Sequence, residues 1–254
     1  MTLEGRRGLV TGGGRGIGAA VCRALAGEGV EVVVSARTPA EIETVAEEIR
    51  GGGGHAEAVT CDVSNPGSIQ ELARRVGGVD ILVNNAGVSS SAKFLDTDLA
   101  EWERIHRINA TGPLLVTQAF LPSMLERGWG RIVNVASIAS LVGARYISAY
   151  AASKHAVLGM ARSLAAELVG TGVTVNTVCP GYVDTPMTDA NIERIAGVTG
   201  REASDIRKSL ESDQPGGRLI TPEEVAFAVL SFLPDAAGGF QGSSLVLDGG
   251  GLRR

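Results

Sequence analysis

The sequence predicts an α/β fold: a doubly wound parallel seven-stranded sheet with helices on both faces, in a single domain over residues 1–254. Three observations lead there. Short apolar runs alternate with longer amphipathic ones along the chain, the pattern of a parallel sheet with crossover helices. The apolar runs are continuous rather than alternating, as in strands buried on both faces. No low-complexity linker or repeat divides the 254 residues, and that length allows a sizeable core.

The elements follow in order. Residues 6–12, RRGLVTG, read as the first strand, before a helical stretch Gly16–Glu28. VEVVVSA (30–36) precedes a helix Pro39–Arg50. After a turn at Gly51–Gly54, HAEAVTC (55–61) precedes a helix Pro66–Val76. VDILVNN (79–85) precedes a long helical region Leu99–Glu126, and RIVNVAS (131–137) precedes Tyr150–Val169. GVTVNTVCP (172–180) and SSLVLDGG (243–250) supply the last two strands. Residues 186–218 break the rhythm: polar, helical in pieces and without a strand. Inserted segments of this size often serve as lids, and a substrate lid is expected here.

The formal net charge is −5, with both signs interspersed, unlike the basic face of a nucleic-acid binder. No apolar run reaches the roughly 18 residues that span a bilayer. The start, MTLEGRRGLV, lacks the apolar segment of a signal peptide. A soluble cytoplasmic protein that binds neither nucleic acid nor membrane is expected. Cys22, Cys61 and Cys179 are far apart, and His55, His106 and His155 show no ligand spacing. Neither a metal nor a disulfide framework is expected.

Thr11–Gly18, TGGGRGIG, lies between the first strand and first helix. Glycines let the backbone approach a pyrophosphate, and a helix N-terminus adds N–H donors and a partial positive charge. Gly14-x-Gly16-x-x-Ala19 satisfies the looser dinucleotide fingerprint in the required context. An ordinary strand-to-helix turn is the alternative. No lysine follows the last glycine, which excludes an ATPase phosphate loop.

About 20 residues further on, such folds usually place an Asp or Glu to hold the ribose; this chain has Arg37. Thr38, Pro39 and Glu41 predict a capping box, which puts Arg37 at the strand end, just outside a helix start. An arginine there can pair with a 2′-phosphate, and Arg15 can reach it from the glycine turn. NADP(H) is therefore favoured over NAD(H). The alternative is that Arg37 stacks on adenine or is solvated and NAD is used.

Tyr150 and Lys154 lie at i and i+4, on one helix face. A phenol of pKa about 10 exchanges protons poorly near neutrality, and a neighbouring ammonium is expected to lower it. Ser137 ends a strand where ligands bind in a parallel sheet, and its hydroxyl could bond a substrate oxygen; a turn cap is the alternative. Asn109 is a poor helix former inside a helical region. It invites a special role, with a hydrogen bond across a helix interface as the alternative.

Thr11, Gly12, Gly16 and Gly18 form TG-x-x-x-G-x-G, and Asn84, Asn85, Ala86 and Gly87 form NNAG. With Asp62-Val63 and Pro180-Gly181, the chain resembles the short-chain dehydrogenase/reductase family from end to end. The resemblance implies a Rossmann-type fold and a catalytic tetrad of Asn109, Ser137, Tyr150 and Lys154. The serine would orient the carbonyl and the tyrosine would be the acid–base. The lysine would bind the nicotinamide ribose, and the asparagine would help hold a proton-relaying water. Cofactor contacts implied are Thr11, Gly12, Gly14, Arg15, Gly16, Ile17, Gly18, Arg37, Thr38, Asp62, Val63, Asn85, Ala86, Gly87, Tyr150, Lys154, Pro180, Gly181, Val183 and Thr185.

The stretches 124–137, 150–168 and 173–187 are most similar to reductases of β-ketoacyl thioesters and polyketide ketones. They are also similar to hydroxybutyrate and hydroxyacyl-CoA dehydrogenases. NADPH-dependent reduction of such a ketone is expected, on a small-molecule substrate that can be thioester-linked. The alternative is NAD(P)-dependent oxidation of a secondary alcohol such as a hydroxy acid, hydroxyacyl-CoA or sterol. A regulator that only senses the cofactor, or a structural oligomer, would not need the tetrad. Ile138, Leu141, Val142, Tyr146 and Met187 are expected to line the substrate site. Arg131 matches a carrier-protein contact, whereas Thr171 stands where a second arginine is expected. The resemblance also implies a homotetramer, built on faces at 114–125 and 157–168 and on the last strand.

Overall fold

The computed structural model describes residues 3–252. The apolar runs pair as parallel strands: β1 (Arg7–Thr11), β2 (Glu31–Ala36), β3 (Ala56–Thr60), β4 (Ile81–Asn84), β5 (Gly130–Val135), β6 (Val173–Pro180) and β7 (Ser244–Leu247). The order across the sheet is β3-β2-β1-β4-β5-β6-β7. Between them run α1 (Gly16–Gly27), α2 (Pro39–Gly51), α3 (Pro66–Val76), α4 (Leu99–His106) and α5 (Gly112–Arg127). Then come α6 (Ser148–Glu167), α7 (Pro186–Thr199), α8 (Ala203–Ser212) and α9 (Pro222–Leu230).

Successive residues of one strand enter opposite cores. Val10 and Val83 pack with α1, α2 and α9, while their neighbours Leu9 and Leu82 pack with α3, α5 and α6. Both sets are fully buried, which is why the strands read as unbroken apolar runs. Burying each such side chain contributes roughly 1.5–3 kcal/mol. β1 pairs with β2 on one side and β4 on the other. The chain therefore reverses its winding between β1 and β4, and their carboxyl ends bound the crevice where such sheets bind ligands.

Two elements depart from expectation. The region 99–126 is not one helix: a π-helical turn, Arg107–Thr111, separates α4 from α5. In a regular α-helix the N–H of residue 113 would bond the Asn109 carbonyl, and Pro113 has none. The helix α9 was not anticipated, although its start carries a complete capping box. The Glu224 N–H donates to Thr221 Oγ1 at 3.2 Å, and the Thr221 N–H donates to Glu224 Oε2 at 2.8 Å. The expected capping box of α2 does not form. Thr38 is the N-cap and Pro39 opens the helix, but no side chain caps it; Glu41 turns instead toward Arg15, 3.5 Å away.

Residues 186–218 form α7 and α8 with no strand, as expected. The three cysteines are buried and unbonded. Among the described residues no cluster could hold a metal, and no helix is long and apolar enough to cross a membrane.

Candidate active site

The glycine turn folds over the end of β1 because four positions exclude a side chain. Gly12 and Gly16 have φ of +66° and +53°, where L residues are strained. A Cβ on Gly18 would lie 2.1 Å from the Gly12 carbonyl oxygen, and one on Gly14 would lie 2.8 Å from Glu41 Cβ. The first turn of α1, with Gly16, Ile17 and Gly18, holds no acidic residue. Its N–H groups lack intrahelical acceptors. This cradle fits a dinucleotide pyrophosphate.

The NNAG segment locks that turn to β4. Asn85 Nδ2 donates to the carbonyls of Thr11 and Gly12 at 3.0 and 3.1 Å. Thr11 Oγ1 accepts from the N–H groups of Asn85 and Ala86 at 3.1 and 3.2 Å. Asn85 and Thr11 thus shape the cradle from behind.

Arg37 is exposed beyond the end of β2, with Asp62 and Val63 following β3. Asp62 Oδ1 accepts from the Ser64 N–H at 2.9 Å and hydroxyl at 2.7 Å. Burial alone would raise the Asp62 pKa, but the Ser64 bonds and the Arg37 charge hold it below the usual carboxylate range. Arg15 and Arg37 stand on this side as expected, with Glu41 as an acidic neighbour that sequence reasoning assigned only to capping.

At the middle of the edge, the four tetrad residues converge. Asn109 Oδ1 accepts from the Val88 N–H at 2.9 Å, and Nδ2 donates to the Val88 carbonyl at 2.9 Å and to Ser153 Oγ at 3.0 Å. Ser153 Oγ donates in turn to the Tyr150 carbonyl at 2.7 Å. The side chain of Asn109 therefore ties the loop after NNAG to the helix that bears Tyr150. Ser153 was missed in the sequence; its signal was a small polar residue on the buried face of an otherwise apolar helix.

Lys154 is 6% exposed, and its Nζ donates to the Val135 carbonyl at 3.0 Å. Burial pulls its pKa down from 10.5 to about 8. Its Nζ lies 5.8 Å from the Tyr150 ring centre. The expected lowering of the Tyr150 pKa by this ammonium does not occur. Burial raises that pKa, the hydrogen bond from Ser137 opposes the rise, and Tyr182 adds to it. The Tyr150 phenol can give a proton to a developing alkoxide. Ser137 also accepts from the Ala139 N–H at 3.1 Å, the turn-capping bond that was its alternative reading.

Pro180 ends β6, and the Gly181 N–H donates to the Leu247 carbonyl at 2.7 Å. Val183 bridges to Ile220. Thr185 caps α7 and its methyl approaches Gly16, which brings the β6 end against the glycine turn. Val142, Tyr146 and Met187 are exposed at the rim, while Ile138 and Leu141 are half-buried.

One further expectation is corrected. Arg131 is buried, with Nε donating to the Leu233 carbonyl and Nη1 to the carbonyls of Gly130 and Gly172. Its guanidinium stacks over Trp129, so it is not presented to a carrier protein. Along 157–168, Val157, Leu158 and Leu168 are buried in the core, and elsewhere Leu114, Leu125 and Leu245 are exposed.

The chain matches the family model described as short chain dehydrogenase over residues 7–196. It is 38% identical over 251 residues to the D-beta-hydroxybutyrate dehydrogenase of Rhizobium meliloti (strain 1021), covering 95% of this chain and 96% of that one. It is 36% identical over 255 residues to a 3-oxoacyl-acyl-carrier-protein reductase of Aquifex aeolicus (strain VF5), covering 98% of each. The crystal structure of an actinorhodin polyketide ketoreductase with NADPH superposes with a TM-score of 0.92 at 37% identity, covering 96% of each chain. With the sheet order, the glycine cradle and these matches together, the chain belongs to the short-chain dehydrogenase family, oxidoreductases that interconvert hydroxyl and carbonyl groups.

Proposed function

We propose that this protein reduces a ketone to a secondary alcohol with NADPH, the ketone being a 3-oxoacyl thioester or a polyketide-type ketone. The observation that carries the reading is the meeting of Ser137 at the end of β5 with Tyr150 and the buried Lys154 on α6, the Lys154 Nζ lying 5.8 Å from the Tyr150 ring centre. A protonated phenol is the form that reduction needs. Ser137 orients the carbonyl oxygen and Tyr150 donates the proton to it. Lys154, with a pKa of about 8, exchanges protons near neutrality and holds the nicotinamide ribose. Asn109 positions the loop and helix on either side. A nicotinamide dinucleotide bound along the cradle supplies the hydride. Thr11, Gly12, Gly14, Arg15, Gly16, Ile17 and Gly18 would hold its pyrophosphate side, and Asp62 and Val63 its adenine. Asn85, Ala86, Gly87, Pro180, Gly181, Val183 and Thr185 would border its nicotinamide half.

Arg15 and Arg37 favour the phosphorylated cofactor through the donors they offer a 2′-phosphate. The exposed Leu114, Leu125 and Leu245 support a homotetramer, and α7 with α8 would act as the substrate lid. We assign it to the cytoplasm, where a reduced phosphorylated cofactor is available.

A panel of 3-oxoacyl thioesters, polyketide-type ketones and secondary alcohols, followed by NADPH and NADH absorbance, tests this. Tyr150→Phe is expected to lower turnover by about 10²–10⁴-fold with NADPH binding retained. Near wild-type turnover in that variant refutes the role of Tyr150, and a preference for NADH refutes the cofactor assignment. Oxidation of a 3-hydroxy acid is the second reading, favoured by the 38% identity to a hydroxybutyrate dehydrogenase. The panel separates the two by direction.

A further inference from the structure

The turn after β6 carries a carboxylate, Asp184, between Val183 and Thr185, the two residues assigned above to the nicotinamide side. Its backbone is pinned from below: Val183 bridges to Ile220, and the Asp184 N–H donates to the Ile220 carbonyl at 2.8 Å. Thr185 then caps α7, and its methyl lies 3.3 Å from where a Cβ on Gly16 would stand. The turn is thus one wall of the glycine cradle, and whatever holds Asp184 holds that wall.

The Asp184 side chain is held by an arginine from α8. Arg207 Nη2 donates to Asp184 Oδ1 at 2.6 Å, Nη1 to Asp189 Oδ1 on α7 at 2.8 Å, and Nε to Glu211 Oε1 on α8 itself at 3.1 Å. A planar guanidinium presents these donors in fixed directions, so the three bonds set the turn, α7 and α8 relative to one another. Among the described residues no other side chain of α8 donates a hydrogen bond outside the helix, and α8 buries only Ile206. Arg207 is therefore the main polar attachment of α8 to the cofactor side of the molecule.

The charge balance gives the cluster its leverage. One guanidinium meets three carboxylates, so negative charge is in excess around it. Without Arg207 those carboxylates would repel one another, and the 183–185 turn would keep only its backbone tie to Ile220. Half-exposed ion pairs are individually weak, but a network that shares one arginine is the arrangement in which they count.

We propose that Arg207 is a positioning residue for the cofactor: by holding Asp184 and Asp189 it fixes the 183–185 turn against the glycine cradle and so raises the affinity for the nicotinamide dinucleotide. It acts through Asp184. This rests on the dinucleotide-binding part of the reductase reading and adds a residue to it.

The test is calorimetric titration of the full-length protein with NADPH. Arg207→Gln and Asp184→Asn are each expected to raise the dissociation constant at least about threefold, and the double variant no further than the larger single effect. Glu211→Gln leaves both links out of α8 in place and is expected to stay within about twofold of wild type. Asp184→Asn, nearly unchanged in shape, serves if Arg207→Gln does not fold. A merely structural arginine would lower the midpoint of urea unfolding and leave the dissociation constant of the folded protein unchanged. A rise of less than about threefold in either folded single variant overturns the proposal. So do effects that multiply in the double variant, since Arg207 would then act elsewhere than on Asp184. Turnover is not read in this titration: a wild type that binds NADPH but fails the ketone panel sinks the reductase reading and leaves the role of Arg207 standing.

Discussion

Lys154 makes the fold pay for the site, and the cost can be read from the pH dependence of stability. The side chain is 6% exposed, and its Nζ finds one hydrogen-bond acceptor, the Val135 carbonyl. Burial moves its pKa from 10.5 to about 8. At about 1.4 kcal/mol per pH unit, keeping the ammonium there costs about 3 kcal/mol below pH 8. Between about pH 8 and 10.5 the unfolded chain still binds the proton that the folded chain has released, so this site makes stability rise with pH across that window. Lys154→Met removes the titrating group and keeps a similar length. Losing the partner of the Val135 carbonyl shifts the variant by a constant that does not depend on pH. Urea unfolding of both proteins from pH 7 to 10.5 isolates the difference, because all other groups titrate in both. Wild type is expected to gain about 3 kcal/mol on the variant over that range. Parallel stability curves would refute the buried-ammonium account.

Two further outcomes follow from how the same local pattern is used twice. Thr221→Ala removes a formed capping box and is expected to cost about 1 kcal/mol in urea unfolding, while Thr38→Ala, whose hydroxyl caps nothing, is expected to change stability by a few tenths at most. Glu41→Gln frees Arg15 from a half-exposed ion pair; the KM for NADPH is expected to fall severalfold while that for NADH stays level, and equal shifts of both would refute a role for Arg15 at the 2′-phosphate.

Much of the site was legible because its residues sit at strand ends and helix starts, where spacing along the chain translates directly into position. Thr11–Gly18, Asn85–Gly87, Ser137 and Pro180–Thr185 each follow a strand that apolar patterning reveals, and parallel strands carry their carboxyl ends to one edge. The helical period puts Tyr150 and Lys154 on one face, and the resemblance to the family gave them roles. Ser153 was not legible as a partner of the site, because Asn109, to which it bonds, lies 44 residues away. The helix α9 was overlooked for a different reason: its Thr221-Pro222-Glu223-Glu224 start was as plain as that at Thr38, but no strand alternation drew attention to it.

The sequence by itself determined the layered α/β architecture, the seven strands and the glycine turn, since these follow from periodicity and from residues with special backbone properties, while the tetrad positions were read from the resemblance to the family. Only the tertiary structure decided which partner each polar side chain takes. It sent Glu41 to Arg15 instead of to its helix cap, placed Arg131 under Trp129, and broke a helix at Asn109. It also raised the pKa of Tyr150 where a neighbouring lysine alone predicted a fall. Each outcome is a competition between nearby charges, hydrogen bonds and desolvation, and the competitors come from distant parts of the chain, so only folding puts them within reach of one another.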